Sequence, residues 1–236
     1  LEPQLRAAFT VHDRLHESDP QAFAAIAPRV RAIAASGESR VGTGLIAQLP
    51  ALEIISVFGV GYDGVPIDYC RQRGIKVTNT PDVLTDDVAD VAVGLVLMTG
   101  RGFAKAERFV RAGTWEKQGP ELTTKLGGKK VGILGLGRIG KAIAARVSAM
   151  GMNVAYTGRK PQDVPYRFMP DLQALAAAAD FLVVACPGGA TTKHMVDAEV
   201  LAALGKKGTI INIARGSIID EPALVAALQA GTIKAA

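Results

Sequence analysis

The segment Val131-Gly132-Ile133-Leu134-Gly135-Leu136-Gly137-Arg138-Ile139-Gly140 constrains this chain more than any other. An apolar, β-branched run ends in glycines spaced GxGxxG and passes directly into an amphipathic helical pattern from Ile139 to Met150. Between a strand and a helix each glycine has its own duty. Gly135 permits the tight turn, Gly137 lets the backbone approach a pyrophosphate, and Gly140 allows the helix to pack closely on the sheet. The free amides at the helix start would receive the phosphates. Glycines that only relieve crowding in a turn give the same spelling, so the surrounding pattern decides.

That pattern is a regular alternation. Strand Lys130 to Leu134 is followed by strands Asn153 to Tyr156, Phe181 to Ala185 and Thr209 to Ile213, with helices Asp171 to Ala179, Asp197 to Leu204 and Glu221 to Ala230 between and after them. This is a doubly wound order. The earlier part offers strands Val30 to Ala34, Glu53 to Val57 and Ile75 to Asn79, with short helices Gly42 to Leu49 and Pro66 to Arg73, which again reads as a parallel sheet. A single long helix, Asp86 to Val110, joins the parts, with Thr85 placed to cap it and Asp86-Asp87 suited to its positive end. The expected fold is α/β, with two Rossmann-like or flavodoxin-like parallel-sheet domains. Residues 1–81 are expected to form the first domain. Residues 82–236 form a dinucleotide-binding domain that includes the joining helix.

Composition agrees and narrows the function. Of 236 residues 49% are hydrophobic but only 5% aromatic, with 26 glycines, as buried strands and closely packed Ala-rich helices require. The net charge of +5 is spread out, with basic clusters only at Lys129-Lys130, Arg159-Lys160 and Lys206-Lys207. No basic run with interleaved aromatics tracks a nucleic acid, so one small anionic ligand accounts better for the charge. Cys70 and Cys186 form no CxxC pair, which points away from a disulfide framework or a metal site and toward a reducing cytoplasm. The apolar stretch Val88 to Met98 is interrupted by Asp90 and too short to span a bilayer.

Which dinucleotide would bind is decided at the end of the strand after the glycine turn, where an acidic residue would hold an unmodified ribose. Here the chain reads Thr157-Gly158-Arg159-Lys160. Two cations can hold a 2′-phosphate that a carboxylate would repel, which favours NADPH over NADH. Ordinary solvated loop charges would look the same. Further on, Ile211-Asn212-Ile213-Ala214-Arg215-Gly216 puts an arginine at the carboxyl edge of the sheet, where such folds bind ligands. Its planar fork can grip a ketoacid carboxylate and polarise the carbonyl that receives hydride. Taken alone it equally suits a structural ion pair.

Together these residues resemble the D-isomer-specific 2-hydroxyacid dehydrogenases, in particular the glyoxylate and hydroxypyruvate reductase branch. The likeness rests on Phe58-Gly59-Val60-Gly61-Tyr62-Asp63, Asn79-Thr80-Pro81-Asp82-Val83-Leu84-Thr85, Arg111-Ala112-Gly113-Thr114-Trp115, Leu134 to Gly140 and Asn212 to Gly216, in that order. It implies that the amides of Val60 and Gly61 cradle the substrate carboxylate and that Arg215 is the catalytic arginine. It also implies cofactor contacts from Thr85, Arg138, Ile139, Arg159, Lys160, Cys186, Thr192 and Ile213, and a homodimer built on the joining helix. Without the likeness, Gly59-Val60-Gly61 is a glycine-rich turn with no assigned ligand.

The likeness further implies a catalytic glutamate and histidine beyond Ala236 and a first strand before Leu1, so both domains are expected to be incomplete. His12 and His16 are expected on the surface and His194 beside the cofactor at best; none replaces the missing acid. Hydride transfer to a small 2-ketoacid is therefore the leading expectation, in a cleft that closes between the domains. The alternative is a nucleotide-sensing binding protein or corepressor of the same fold without turnover. No metal, nucleic acid or membrane partner is expected.

Overall fold

A computed structural model describes residues 2–236, which divide into one unit ending at Val83 and a second from Leu84 to Ala236. In the first unit, α1 (Glu2–Ala8), α2 (Leu15–Ser18) and α3 (Pro20–Ile26) precede β1 (Ala32–Ser36), α4 (Thr43–Ala47), β2 (Ile54–Phe58), α5 (Ile67–Gln72) and β3 (Lys76–Thr78). The three strands pair in parallel in the order β1-β2-β3. Along β2, Ile55 and Val57 are buried while Ser56 and Phe58 are exposed. The buried side packs with Phe23, Ile46, Leu49, Cys70 and Ile75.

The second unit begins with α6 (Thr85–Arg101) and α7 (Phe103–Arg111). The continuous helix expected from Asp86 to Val110 is thus two helices. Gly102, at φ +63°, turns left-handed and donates its N–H to the Met98 carbonyl, which terminates α6 as a glycine beyond a helix end does. Nor does Thr85 cap α6. It is the first helical residue, and Leu84 occupies the cap position without a side-chain bond.

After α7 come β4 (Lys130–Leu134), α8 (Arg138–Ala149), β5 (Asn153–Thr157), β6 (Arg167–Phe168), α9 (Leu172–Ala178), β7 (Phe181–Val184), α10 (Ala198–Leu204), β8 (Thr209–Asn212) and α11 (Glu221–Gln229). All five strands are parallel, ordered β6-β5-β4-β7-β8, so chain direction reverses its progress across the sheet beside β4. Helices α9, α10 and α11 start on Asp171, Asp197 and Asp220, whose carboxylates accept backbone N–H bonds from the first turn of each helix. On one side Ala89, Ala92 and Val96 of α6 meet Ile143, Ala144 and Val147 of α8. Small alanines let the two helices approach, and Arg146 reaches from α8 to Asp86 and Asp90 at 2.8 and 2.7 Å. The other side is filled by Leu175, Leu182, Val184, Val200, Leu201 and Ile210.

At the amino edge of this sheet Asp180 acts as a clasp. Its carboxylate accepts from Lys129 Nζ at 2.8 Å and from the Lys130 N–H at 2.9 Å. Its own N–H donates to the Lys130 carbonyl, and its carbonyl accepts from the Thr209 N–H. One residue therefore ties the starts of β4, β7 and β8 together and leaves the carboxyl edge to other work.

Candidate functional site

The carboxyl edge of the second sheet gathers most of the residues singled out in the sequence. Gly135 leaves β4 at φ +97° and donates its N–H to the Thr157 carbonyl at the end of β5. A methyl at this position would lie 2.7 Å from the backbone of Cys186, beyond β7, so only glycine lets the two strand ends meet. Gly140 touches the turn from the helix side: a Cβ there would lie 2.2 Å from the Gly135 carbonyl oxygen. Gly137 faces open space, with nothing within 4 Å of the Cβ it lacks. It sits at the N-cap of α8 with no side-chain cap, and among the described residues the amides of Gly137 and Ile139 donate to no protein acceptor. Uncapped amides at a helix start over a space that a side chain would fill suit a pyrophosphate.

Thr157 ends β5 buried, and the chain emerges into solvent at Gly158, Arg159 and Lys160. Neither cation pairs with a carboxylate among the described residues. The same loop returns to the glycine turn in a way that local pattern did not disclose. Gln162 donates its side-chain amide to the Leu136 carbonyl at 2.8 Å, and its backbone N–H to the Tyr156 hydroxyl at 2.7 Å. Cys186 is buried, and burial pushes its thiol up, which makes it a small apolar wall and a poor nucleophile. Thr192 spends its hydroxyl proton on the Pro187 carbonyl at 2.8 Å, leaving its oxygen as an acceptor only.

Beyond β8, Asn212 shapes the turn that carries the arginine. Its Oδ1 accepts from the Ala214 N–H and its Nδ2 donates to the Arg215 carbonyl, both at 2.9 Å. Arg215 is half-buried, with Nη1 donating to the Ala214 carbonyl at 3.1 Å. Asn212 and Ile213 also line a cavity of about 320 Å³ with Asp87, Val88, Val91 and Leu95 of α6. Thr85 is half-buried one turn before that cavity and does not line it.

In the first unit Gly59-Val60-Gly61 is held by the segment that follows β3. Thr80 exchanges two bonds with Gly59, its Oγ1 accepting and its N–H donating, each at 3.0 Å, and Asn79 Nδ2 donates to the Val60 carbonyl at 2.9 Å. The amides of Val60 and Gly61 donate to no acceptor among the described residues, which leaves both able to hold a carboxylate. Of the histidines, His12 and His194 are exposed, and His16 is half-buried with its ring centroid 5.8 Å from that of Phe23.

Comparisons with known proteins agree with this geometry. The D-isomer specific 2-hydroxyacid dehydrogenase NAD-binding domain matches residues 93–236. Glyoxylate/hydroxypyruvate reductase A of Arabidopsis thaliana is 48% identical over 86% of this chain and 66% of its own length. Hydroxyphenylpyruvate reductase of Plectranthus scutellarioides is 43% identical over 99% of the chain and 75% of its own. Among solved structures, a 2-hydroxyacid dehydrogenase from Ketogulonicigenium vulgare superposes with a TM-score of 0.89 at 45% identity, covering 99% of this chain and 75% of that one. The NADPH-dependent glyoxylate/hydroxypyruvate reductase of Sinorhizobium meliloti, in complex with NADP and malonate, gives 0.82 at 48% identity, covering 88% and 66%. A dinucleotide turn, an arginine after the last strand and relatives of one kind across nearly the whole sequence lead to one assignment: the chain belongs to the D-isomer specific 2-hydroxyacid dehydrogenases, on the branch of the glyoxylate/hydroxypyruvate reductases.

Proposed function

We propose that the protein reduces a small 2-ketoacid, such as glyoxylate or hydroxypyruvate, to the D-2-hydroxyacid with NADPH as the reductant. The observation that carries the proposal is the meeting of two features on one edge of the second sheet: the open glycine turn after β4 and the Asn212-supported Arg215 after β8. In this reading the unit ending at Val83 binds substrate and the unit from Leu84 binds the dinucleotide.

The amides of Gly137 and Ile139, with Arg138, hold the pyrophosphate, and Arg159 with Lys160 holds the 2′-phosphate. Cys186, Thr192, Ile213 and Thr85 contribute walls and polar contacts farther along the cofactor. When bound, NADPH would supply the hydride that adds to the carbonyl carbon, and a general acid, the histidine that the family likeness implies, would supply the proton that completes the hydroxyl. Arg215 holds the negative charge that gathers on the carbonyl oxygen, and its half-burial strengthens that interaction relative to bulk water. The Val60 and Gly61 amides orient the carboxylate.

Support for NADPH comes from the missing strand-end carboxylate and from the S. meliloti relative described as NADPH-dependent. Exposed Val91 and Met98 on α6 and Phe103 and Val110 on α7 support a homodimer built on these helices, which the molar mass in solution measured by light scattering tests directly. Two buried, unbridged thiols suit a cytoplasmic location, and among the described residues no helix is long and apolar enough to cross a membrane.

The test is calorimetric titration with NADPH and with NADH, together with consumption of each by glyoxylate and hydroxypyruvate. Tighter binding of NADPH, lost when Arg159 and Lys160 are both changed to alanine, is the expected result. Equal affinity for the two nucleotides overturns the cofactor assignment, and absence of ketoacid-dependent NADPH consumption by a protein that also carries the glutamate and histidine implied by the family likeness overturns the activity.

A further inference from the structure

Arg159 and Lys160 lie on a loop whose ends are fixed by more than the strands. On the near side, Thr157 is buried at the end of β5. On the far side, Val164 and Tyr166 pack onto the core that contains α6 and α8. Pro161 and Pro165 restrict the backbone between those points.

Gln162 sits in the middle of this span with two bonds that leave the loop. Its backbone N–H donates to the Tyr156 hydroxyl at 2.7 Å, and its side-chain Nε2 donates to the Leu136 carbonyl at 2.8 Å. Neither partner is free to follow the loop. The Tyr156 ring is buried against Phe168 with centroids 5.4 Å apart, and Leu136 is the buried residue between Gly135 and Gly137 of the glycine turn. The segment bearing the two cations is therefore fastened to the segment bearing the pyrophosphate amides.

We propose that Gln162 is a positioning residue for cofactor selection, clamping the Arg159-Lys160 loop to the glycine turn so that the 2′-phosphate site is formed before NADPH arrives. The inference rests on the reading of Arg159 and Lys160 as that site. Its physical basis is ordering cost. Two long cationic side chains on an untethered loop must lose backbone and rotamer freedom on binding, whereas a clamped loop has already done so. NADH has no 2′-phosphate, so its affinity does not draw on the clamp. The ratio of the two affinities, rather than either one alone, reports the role of Gln162.

The experiment compares NADPH and NADH dissociation constants by calorimetry for wild type, Gln162→Met, Tyr156→Phe, the Arg159→Ala/Lys160→Ala pair and that pair combined with Gln162→Met, with thermal midpoints for each. Methionine keeps the length of glutamine and removes the donor. Gln162 is exposed, so its replacement removes no core packing, and the thermal midpoint checks that the fold is kept. Gln162→Met and Tyr156→Phe should each lower the preference for NADPH about fivefold, the scale of one neutral hydrogen bond, with NADH binding unchanged. Adding Gln162→Met to the alanine pair should lower the preference no further, since the clamp then has nothing to position. If wild type shows no preference, the cofactor reading fails and takes the inference with it. If the alanine pair abolishes a real preference while Gln162→Met retains it, the cofactor reading stands and the inference is overturned. Equal weakening of both nucleotides by Gln162→Met also overturns it, by reducing Gln162 to a support of the glycine turn.

Discussion

Gly140 lies inside α8, so its service is to space rather than to backbone freedom: a methyl would press on the Gly135 carbonyl oxygen at 2.2 Å. Gly140→Ala should lower stability by about 3 kcal/mol, the upper range for overpacking, as read from urea unfolding. A stability loss under ~1 kcal/mol would show that the turn yields. In the proposed reading Arg215 answers to chemistry instead. Lysine keeps the charge and loses the planar fork, so Arg215→Lys should reduce kcat/KM for a 2-ketoacid about a hundredfold while NADPH binding, read by calorimetry, stays as in wild type. Unchanged turnover would remove Arg215 from the reaction. Both residues stand out in the sequence because each belongs to a contiguous spelling. Gln162 and Asn79 could not be read as supports, because the carbonyls they hold, Leu136 and Val60, lie 26 and 19 residues away in the chain. Nothing in a local window distinguishes a tethering amide from a solvated one.

Periodicity gave the elements of the second unit nearly to their ends, and the departures have physical causes. The break at Gly102 was hidden because apolar residues recur on both sides of it at helical spacing, so only the left-handed φ of +63° reveals the stop. The two-residue β6 is too short for any alternation to show. The clasp at Asp180 also belongs to this scale, since it joins three strands. Burial alone would raise its carboxyl, but the Lys129 ammonium and the Lys130 N–H outweigh that and hold it below the ordinary range. A depressed carboxylate stabilises fully above the unfolded pKa of about 4 and loses that contribution as pH falls through the lower folded value. Wild type should therefore lose stability on acidification below about pH 4 more steeply than Asp180→Asn, which should be less stable at neutral pH. Parallel stability profiles from urea midpoints across that window would contradict the role of the clasp.

For the molecule as a whole, two separate strand alternations in the sequence correspond to two sheets, with three strands in the first, whereas the order of strands within each sheet depends on pairings that spacing does not encode. NADPH at about a hundred times its dissociation constant should add about 2.7 kcal/mol to the unit that binds it, by mass action. Hydrogen exchange should place the new protection at the turn after β4 and at the loop from Gly158 to Gln162; protection absent from both would contradict the assigned cofactor site. The clasp at Asp180 has one more consequence, which concerns inheritance. Holding the sheet at its amino edge separates the mutations that decide whether the chain survives in a cell from those that decide what it handles. A library selected for abundance alone would keep Asp180, Gly135 and Gly140 and let exposed exit residues such as Arg159 and Lys160 drift, so a lineage can change its ligand without first relearning how to fold.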